Sequence, residues 1–287
     1  MNPRSAPLAA LVSMVVIWGY SWVLMKIALR YAHPFDFAAL RCGIGAAMLF
    51  AIVKLQGRRV ALASYRMAFG LGTIQVALFV GLTHFALLYA GPGKTSVLVF
   101  TMPFWMIVFA HFILHERMRG AQWVAVAFAF AGLALIVAPW RLTSLTGSLL
   151  AVAAGAVWAI SAVFSKKWPT GVDPLIFTAW QLLFGTLWLA ALAWIHPHPP
   201  IRWTLEFVVA LGVASVFATA IGWWLWTYVL ANTRAGIAGL SSLGIPVISV
   251  LSSALQLGER PPPIELAGMV AIGIALAMLG WLGLRRR

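Results

Sequence analysis

Residues 17–26 read IWGYSWVLMK, and residues 157–166 read VWAISAVFSK. Trp18, Ser21 and Lys26 of the first stretch recur as Trp158, Ser161 and Lys166, each 140 residues further on. At the same offset Pro34 matches Pro174, Phe37 matches Phe177 and Gly45 matches Gly185. Arg41 falls opposite Gln181, so polarity is kept there while charge is not. Further along the offset becomes 143, and Pro103, Glu116 and Arg117 match Pro246, Glu259 and Arg260. Several residue types keep their separations without gaps, which common ancestry of two halves, 1–143 and 144–287, explains better than coincidence.

The rest of the chain fixes the solvent of those halves. Of 287 residues, 63% are hydrophobic and 9% are charged, with mean hydropathy +0.96. Soluble domains carry about a quarter charged residues, so this surface needs lipid around it. A bilayer core takes about 20 mostly apolar residues per helix. Ten such segments follow one another, at about 8–30, 36–54, 67–89, 95–114, 121–140, 147–166, 174–195, 204–230, 236–257 and 265–284. His33-Pro34, Gly57-Arg58-Arg59, Gly91-Pro92-Gly93, Pro139 and Pro261-Pro262-Pro263 punctuate them. The runs are too long for strands and show no period-2 alternation. The first run is long enough to span and precedes no good cleavage site, so a removable leader is not expected.

Five helices per half is an odd number, so the second half enters from the opposite face. The expected fold class is an all-α polytopic membrane protein, with ten transmembrane helices as two inverted five-helix repeats around a central cavity. The formal charge of +14 and the sequence pI of about 11.3 would suggest nucleic acid in a soluble protein. Here the basic residues sit between apolar runs, where topology accounts for them and no nucleic-acid partner is expected. With the N-terminus inside, only Arg30, Lys94, Arg141, Arg202 and Arg260 face outward, while Lys26 and Arg41 lie within spans. The remaining Lys and Arg fall on the inner side, which places both termini in the cytoplasm. The expected location is a bacterial inner membrane.

Ten spans, inverted repeats and these paired motifs resemble the drug/metabolite transporter superfamily, in particular its EamA-type members. Trp18 and Ser21, Trp158 and Ser161, Pro103 to Glu116 and Pro246 to Glu259 carry the resemblance, which covers essentially the whole chain. Within that group the chain looks most like exporters of amino acids, the YddG-type exporters of aromatic amino acids among them. The resemblance implies that helices 1–4 and 6–9 surround the cavity and that helices 5 and 10 are peripheral.

Candidate substrate-binding residues follow from depth and face. Trp18 lies about 15 Å into its helix, and Trp158 lies at similar depth. Aromatic belts sit at the interfaces, so a matched mid-span pair needs another reason. It stacks on a substrate or packs helices around the symmetry axis. Ser21 and Ser161 follow at i+3 on the same faces, available either to a substrate's polar groups or to backbone carbonyls. Gln75 with Phe79, and Thr219 with Trp223, are i, i+4 pairs in helices 3 and 8, each offering one polar and one aromatic group to a cavity or to packing. Pro103 and Pro246 are interior prolines that free carbonyls one turn back, serving as gate hinges or as static kinks. Lys26 and Lys166 lie near helix ends, where snorkelling to the interface is expected. Arg41 is expected in an ion pair with Asp36. His84 and His111 lie within spans, where a structural role is expected ahead of a proton-carrying one. Glu116 and Glu259 are expected to cap or pair locally at span ends.

No catalytic motif is present, and Gly93-Lys94-Thr95 lacks the first glycine of a phosphate loop because position 88 is leucine. The single cysteine, Cys42, leaves no disulfide and no cysteine-rich metal site. No enzyme activity, cofactor or metal is expected. All six acids fall at or near span ends, which disfavours a carboxylate proton relay and favours a facilitator. The expected function is secondary transport: export of amino acids, including aromatic or other large neutral ones, by alternating access. The partners are a small-molecule substrate and membrane lipids, with the chain a monomer or a weak homodimer whose packing would use Gly268, Gly273 and Gly280. The alternatives are export of drugs or other amphipathic metabolites, and, from a different class, an integral membrane enzyme acting on lipids.

Overall fold

A computed structural model describes residues 5–60, 64–115, 120–137, 145–232 and 244–284. Apart from turns and short connections the described residues are helical, with no strand among them. The helices are α1 (Ser5–Ala28), α2 (Pro34–Leu55), α3 (Tyr65–Tyr89), α4 (Pro92–Ile113), α5 (Gly120–Val137), α6 (Leu145–Lys167), α7 (Pro174–Ile195), α8 (Leu205–Val229), α9 (Gly244–Leu257) and α10 (Pro263–Leu284). Six of them, α2, α3, α4, α6, α7 and α8, are long and apolar enough to cross a membrane. Val16, Ile44, Leu78, Leu187, Val247 and Leu251 are exposed within their helices, an apolar surface that water would not tolerate and lipid does.

Local chemistry sets the helix ends. Pro34 and Pro174 open α2 and α7, where a missing N–H costs nothing. The residue before each caps its helix: His33 accepts from Phe35 N, and Asp173 accepts from Leu175 N and Ile176 N. Arg58 pairs with Asp173 at 2.9 Å. Burial raises the Asp173 carboxyl, but Arg58 and the two amides outweigh it and leave it below the usual carboxylate value. At the other end of α2 the chain turns at Gly57, whose φ of +66° suits glycine. There Gly57 N bonds Lys54 O and Arg58 N bonds Val53 O, which satisfies the last carbonyls of the helix.

Small residues decide which helices touch. α2 packs along α7, α1 against α9, and α6 against α3 and α4. α5 and α10 pack chiefly against each other, the peripheral pairing that the resemblance implies. A Cβ on Gly45 would stand 2.8 Å from the Thr219 methyl, and one on Gly185 2.3 Å from Val76 Cβ. Glycine at these points lets α2 approach α8 and α7 approach α3. Gly132 likewise admits the backbone of Gly268, so that glycine serves an internal contact, whereas Gly273 faces open space.

Two helices widen in the middle. α3 contains a π-helical stretch, Gly72–Leu78, and α8 contains another, Ala214–Ile221. Such wide turns leave backbone carbonyls unused by the helix and recur at functional sites. α4 is broken instead: its two pieces, Pro92–Val99 and Met102–Ile113, meet at Phe100 and Thr101, with Pro103 at the start of the second. Pro103 is therefore a break point, as its missing N–H requires. Pro246 lies buried in the first turn of the described part of α9, and residues 233–243, which precede it, lie outside the described residues.

Candidate functional site

Between the helices lies a narrow cleft of about 40 Å³. Trp18, Ser21, Trp22 and Met25 of α1 line it at i, i+3, i+4 and i+7, a single helical face. Arg41 of α2, four residues of α3 (Phe79, Val80, Thr83, His84), Phe100 at the break in α4, Trp158 of α6 and Trp223 of α8 complete the wall. Both halves of the chain contribute.

One end of the cleft is aromatic. The Trp158 ring stands edge-on to Phe79 at 4.2 Å and to Trp18 at 5.3 Å between centroids, and Trp223 lies 5.4 Å away. Trp226 backs the group, 5.5 Å from Trp158 and 6.1 Å from Trp18. The π turn in α8 explains how Trp18 is held. Gly222 N bonds Phe217 O, which leaves Ala218 O to accept from Trp18 Nε1 at 2.9 Å. Gly222 itself has no side chain to obstruct the indole: a Cβ there would stand 2.2 Å from Nε1. Trp158 Nε1, by contrast, is buried without a partner.

The other end is polar and is built around Arg41, 5% exposed. Its Nε donates to Thr219 Oγ1 at 3.0 Å, and Thr219 donates to Ala214 O across the same π turn. Its Nη1 donates to Met25 Sδ at 2.8 Å and lies 3.3 Å from His84 Nε2. Guanidinium has only hydrogens to offer, so His84 Nε2 presents its lone pair. Among the described residues, no carboxylate stands within ion-pair distance of Arg41. The expected pairing with Asp36 is replaced by another: Asp36 lies 3.3 Å from His198 Nδ1, at the end of the helix. Asp36 is five residues from Arg41, more than a turn along α2, so the two side chains leave the helix in different directions.

The sequence candidates divide. Trp18, Ser21, Phe79, Trp158 and Trp223 line the cleft. Ser21 and Ser161 each donate to the carbonyl three residues back, Trp18 O at 2.8 Å and Trp158 O at 2.7 Å, and Ser161 is not part of the wall. Gln75 lies outside the wall, accepting a hydrogen bond from Gln181 Nε2. Thr219 stands behind Arg41. Sequence reasoning missed Arg41, Trp22, Met25, Thr83 and Phe100 as wall residues. The i, i+3, i+4, i+7 stripe from Trp18 points to Trp22 and Met25.

Lys26, expected to snorkel, bonds to a neighbouring helix end instead, and Glu259 caps a helix start as expected of a span-end acid. Lys26 Nζ donates to Leu87 O and, at 3.2 Å, to Ala90 O, the carbonyls left free where α3 ends. A cation there also suits the helix dipole. Glu259 Oε2 accepts from Gly93 N at 3.0 Å, at the start of α4. Lys26 and Glu259 therefore tie the neighbouring ends of α1, α3, α4 and α9 together. Glu116 lies outside the described residues. Among the described residues, no group of three or more His, Cys, Asp or Glu stands where a metal could be held.

A bundle of apolar helices closing on an internal cleft with one polar end is the architecture of a membrane transporter. The chain belongs to the EamA-like transporter family, whose model matches twice, over residues 5–138 and 145–281. It is therefore a multi-pass membrane protein of the drug/metabolite transporter superfamily. It is 31% identical over 263 residues to the uncharacterized transporter YoaV of Bacillus subtilis (strain 168), covering 87% of this chain and 88% of that one. It is 27% identical over 301 residues to a probable amino-acid metabolite efflux pump of Escherichia coli (strain K12), covering 98% and 94%. A solved crystal structure shares the fold, with TM-score 0.73 at 20% identity and 99% of both chains covered.

Proposed function

We propose that this transporter exports amino acids, aromatic and other large neutral ones among them, from the cytoplasm by alternating access. Ten crossings form two inverted five-helix repeats, 1–143 and 144–287, with both termini cytoplasmic in a bacterial inner membrane. The two separate family matches and the paired π turns in α3 and α8 support the repeat. The observation that carries the substrate reading is the polarity of the cleft: Trp18, Phe79, Trp158 and Trp223 at one end and Arg41 with His84, Thr83 and Ser21 at the other. Flat aromatic faces receive an apolar or aryl side chain, and the polar end receives the backbone groups of an amino acid. The amino-acid efflux named for the E. coli relative accords with this. Trp18, Ser21, Phe79, Trp158 and Trp223 contact substrate directly; Gln75, Ser161 and Thr219 position the wall; Pro103 and Pro246 serve the gates.

Export of lipophilic cations fits less well, because among the described residues the only charged side chain lining the cleft is that of Arg41. The test is counterflow in proteoliposomes. Liposomes loaded with unlabelled phenylalanine should accumulate labelled phenylalanine or tryptophan saturably. Uptake equal to that of empty liposomes overturns the assignment.

A further inference from the structure

We propose that Arg41 is the docking group for a substrate carboxylate, and that the transported class is large apolar or aryl monocarboxylates in which the ammonium group is dispensable. The inference rests on the cleft being the transport site.

The first support is the company Arg41 keeps. It is the eighth residue of α2, about 10 Å from the helix start at 1.5 Å per residue. A charge at such depth is costly, and its burial without an opposite charge costs several kcal/mol. Its three partners, Thr219, Met25 and His84, are neutral acceptors that place the group without neutralising it. Structure alone does not demand a cation at this register. Gln181, the residue at the matched position of α7, fills its place with a neutral amide bonded to Gln75. A bound anion would complete the ion pair that the protein leaves open.

The second support is the unsatisfied inventory of the wall. Among the described residues, Arg41 Nη2 makes no hydrogen bond, and Thr83 Oγ1 is buried without a partner. Both can donate, the guanidinium only donates, and both residues line the same cleft. A carboxylate is an acceptor with two oxygens and is the natural complement of surplus donors. For an ammonium group the wall supplies no acid. Ser21 Oγ already donates to Trp18 O, and the hydroxyl lone pairs of Ser21 and Thr83 with the aromatic faces are the neutral acceptors that remain. The inventory therefore asks for the carboxylate and not for the amine.

The experiment separates the two poles of phenylalanine. In detergent, binding of phenylalanine, 3-phenylpropionate, phenethylamine and phenylalanine amide is read by thermal stabilisation of the purified protein. In proteoliposomes, the same compounds compete against counterflow of labelled phenylalanine. We expect 3-phenylpropionate to match phenylalanine within about threefold, and the two compounds lacking a carboxylate to be weaker by roughly 10- to 100-fold, the range of one lost charged hydrogen-bonding contact. Arg41→Gln should abolish the preference for carboxylate over amide, and Thr83→Val should reduce it several-fold while leaving Arg41 intact. Phenethylamine binding as well as 3-phenylpropionate, or an Arg41→Gln protein that keeps the preference, overturns the inference. If Arg41→Gln does not fold, the wild-type analogue series and Thr83→Val decide the matter. Stabilisation by 3-phenylpropionate without any counterflow would uphold the carboxylate site and overturn the transport reading. Phenylalanine counterflow without binding of 3-phenylpropionate would do the reverse.

Discussion

Arg41 and Gln181 occupy matched positions in the two halves, and they do different work. Arg41 reaches from α2 to Thr219 in the π turn of α8; Gln181 reaches from α7 to Gln75 in the π turn of α3. The crossing is the same, a polar side chain of one helix held at the widened middle of another. Only the first contact lies on the cleft wall, and only the first carries charge. On the proposed reading, the neutral crossing serves assembly and the charged one serves recognition.

Exchanging the charges is the strongest way to break that comparison. Gln181→Arg places a second guanidinium against Gln75, away from the cleft and without an acid. An unpaired buried charge costs several kcal/mol, so little folded protein should survive gel filtration in mild detergent. Arg41→Gln copies the arrangement of the other half and should fold nearly as well as the parent. A Gln181→Arg protein as stable as Arg41→Gln would end the distinction between the two sites.

The glycines beside these crossings give the next effect. The Cβ of Gly185→Ala meets Val76 Cβ at 2.3 Å and the Gly72 carbonyl oxygen at 2.9 Å, both fixed to backbone. That of Gly45→Ala meets the Thr219 methyl at 2.8 Å, a group that can turn away, at the expense of its bond to Arg41. Overpacking costs about 1–3 kcal/mol. Gly185→Ala should fall at the top of that range in thermal unfolding, and Gly45→Ala near the bottom. Gly45→Ala should nevertheless lose more transport than stability. Equal loss of transport in both variants would show that the Arg41 crossing has no special tie to substrate.

Removing one amide of the neutral crossing should cost less. Gln75→Met leaves the Gln181 amide buried without its acceptor, a loss of about 1 kcal/mol on the scale of hydrogen bonds between helices in membranes. Gln75→Met with Gln181→Met should recover most of it, because two apolar groups leave nothing unsatisfied. Thermal unfolding of the two singles and the double completes the cycle. A double variant less stable than either single would mean that the crossing matters for more than its own hydrogen bond.

Apolar run length made the all-helical, membrane-spanning scaffold legible, because helix order and lipid exposure follow from it. The aromatic end of the cleft was legible for a related reason: a tryptophan at mid-span has no interface to justify it. The polar end was not. Asp36 is near Arg41 along the chain, and sequence proximity made it the obvious partner. What frees Arg41 is tertiary: Asp36 finds His198 beyond the end of α7, and the π turn in α8 swings Thr219 under the guanidinium. Lys26 misled in the same way, because the free carbonyls that draw it inward belong to α3, 61 residues away. A pattern along one helix cannot register an acceptor that another helix supplies.

The smallest effect distinguishes the caps of α2 and α7, which stand at matched positions before Pro34 and Pro174. His33 Nδ1 accepts from Phe35 N at 3.4 Å, and its ring lies flat on His198 at 4.4 Å. Burial chiefly, then the neighbouring His198 and His196, lower its proton affinity against the opposing pull of Asp36. The folded state therefore binds fewer protons than the unfolded one just below the ordinary histidine value of 6.5. Stability falls with pH in that window, and a protonated Nδ1 no longer accepts from Phe35 N. Asp173 acts in the same sense for stability but in a lower window: its folded value lies below 3.8, so its contribution is present above that value and is lost only when pH falls through the folded one. Between 6.5 and 3.8 the start of α2 should loosen while the start of α7 holds. Hydrogen exchange, corrected for its intrinsic pH dependence, should show Phe35 losing protection from pH 7.5 to 5.5 while Leu175 keeps it. His33→Asn, which caps without titrating, should remove the difference. Parallel behaviour of the two amides would mean that the His33 ring does not govern the end of α2.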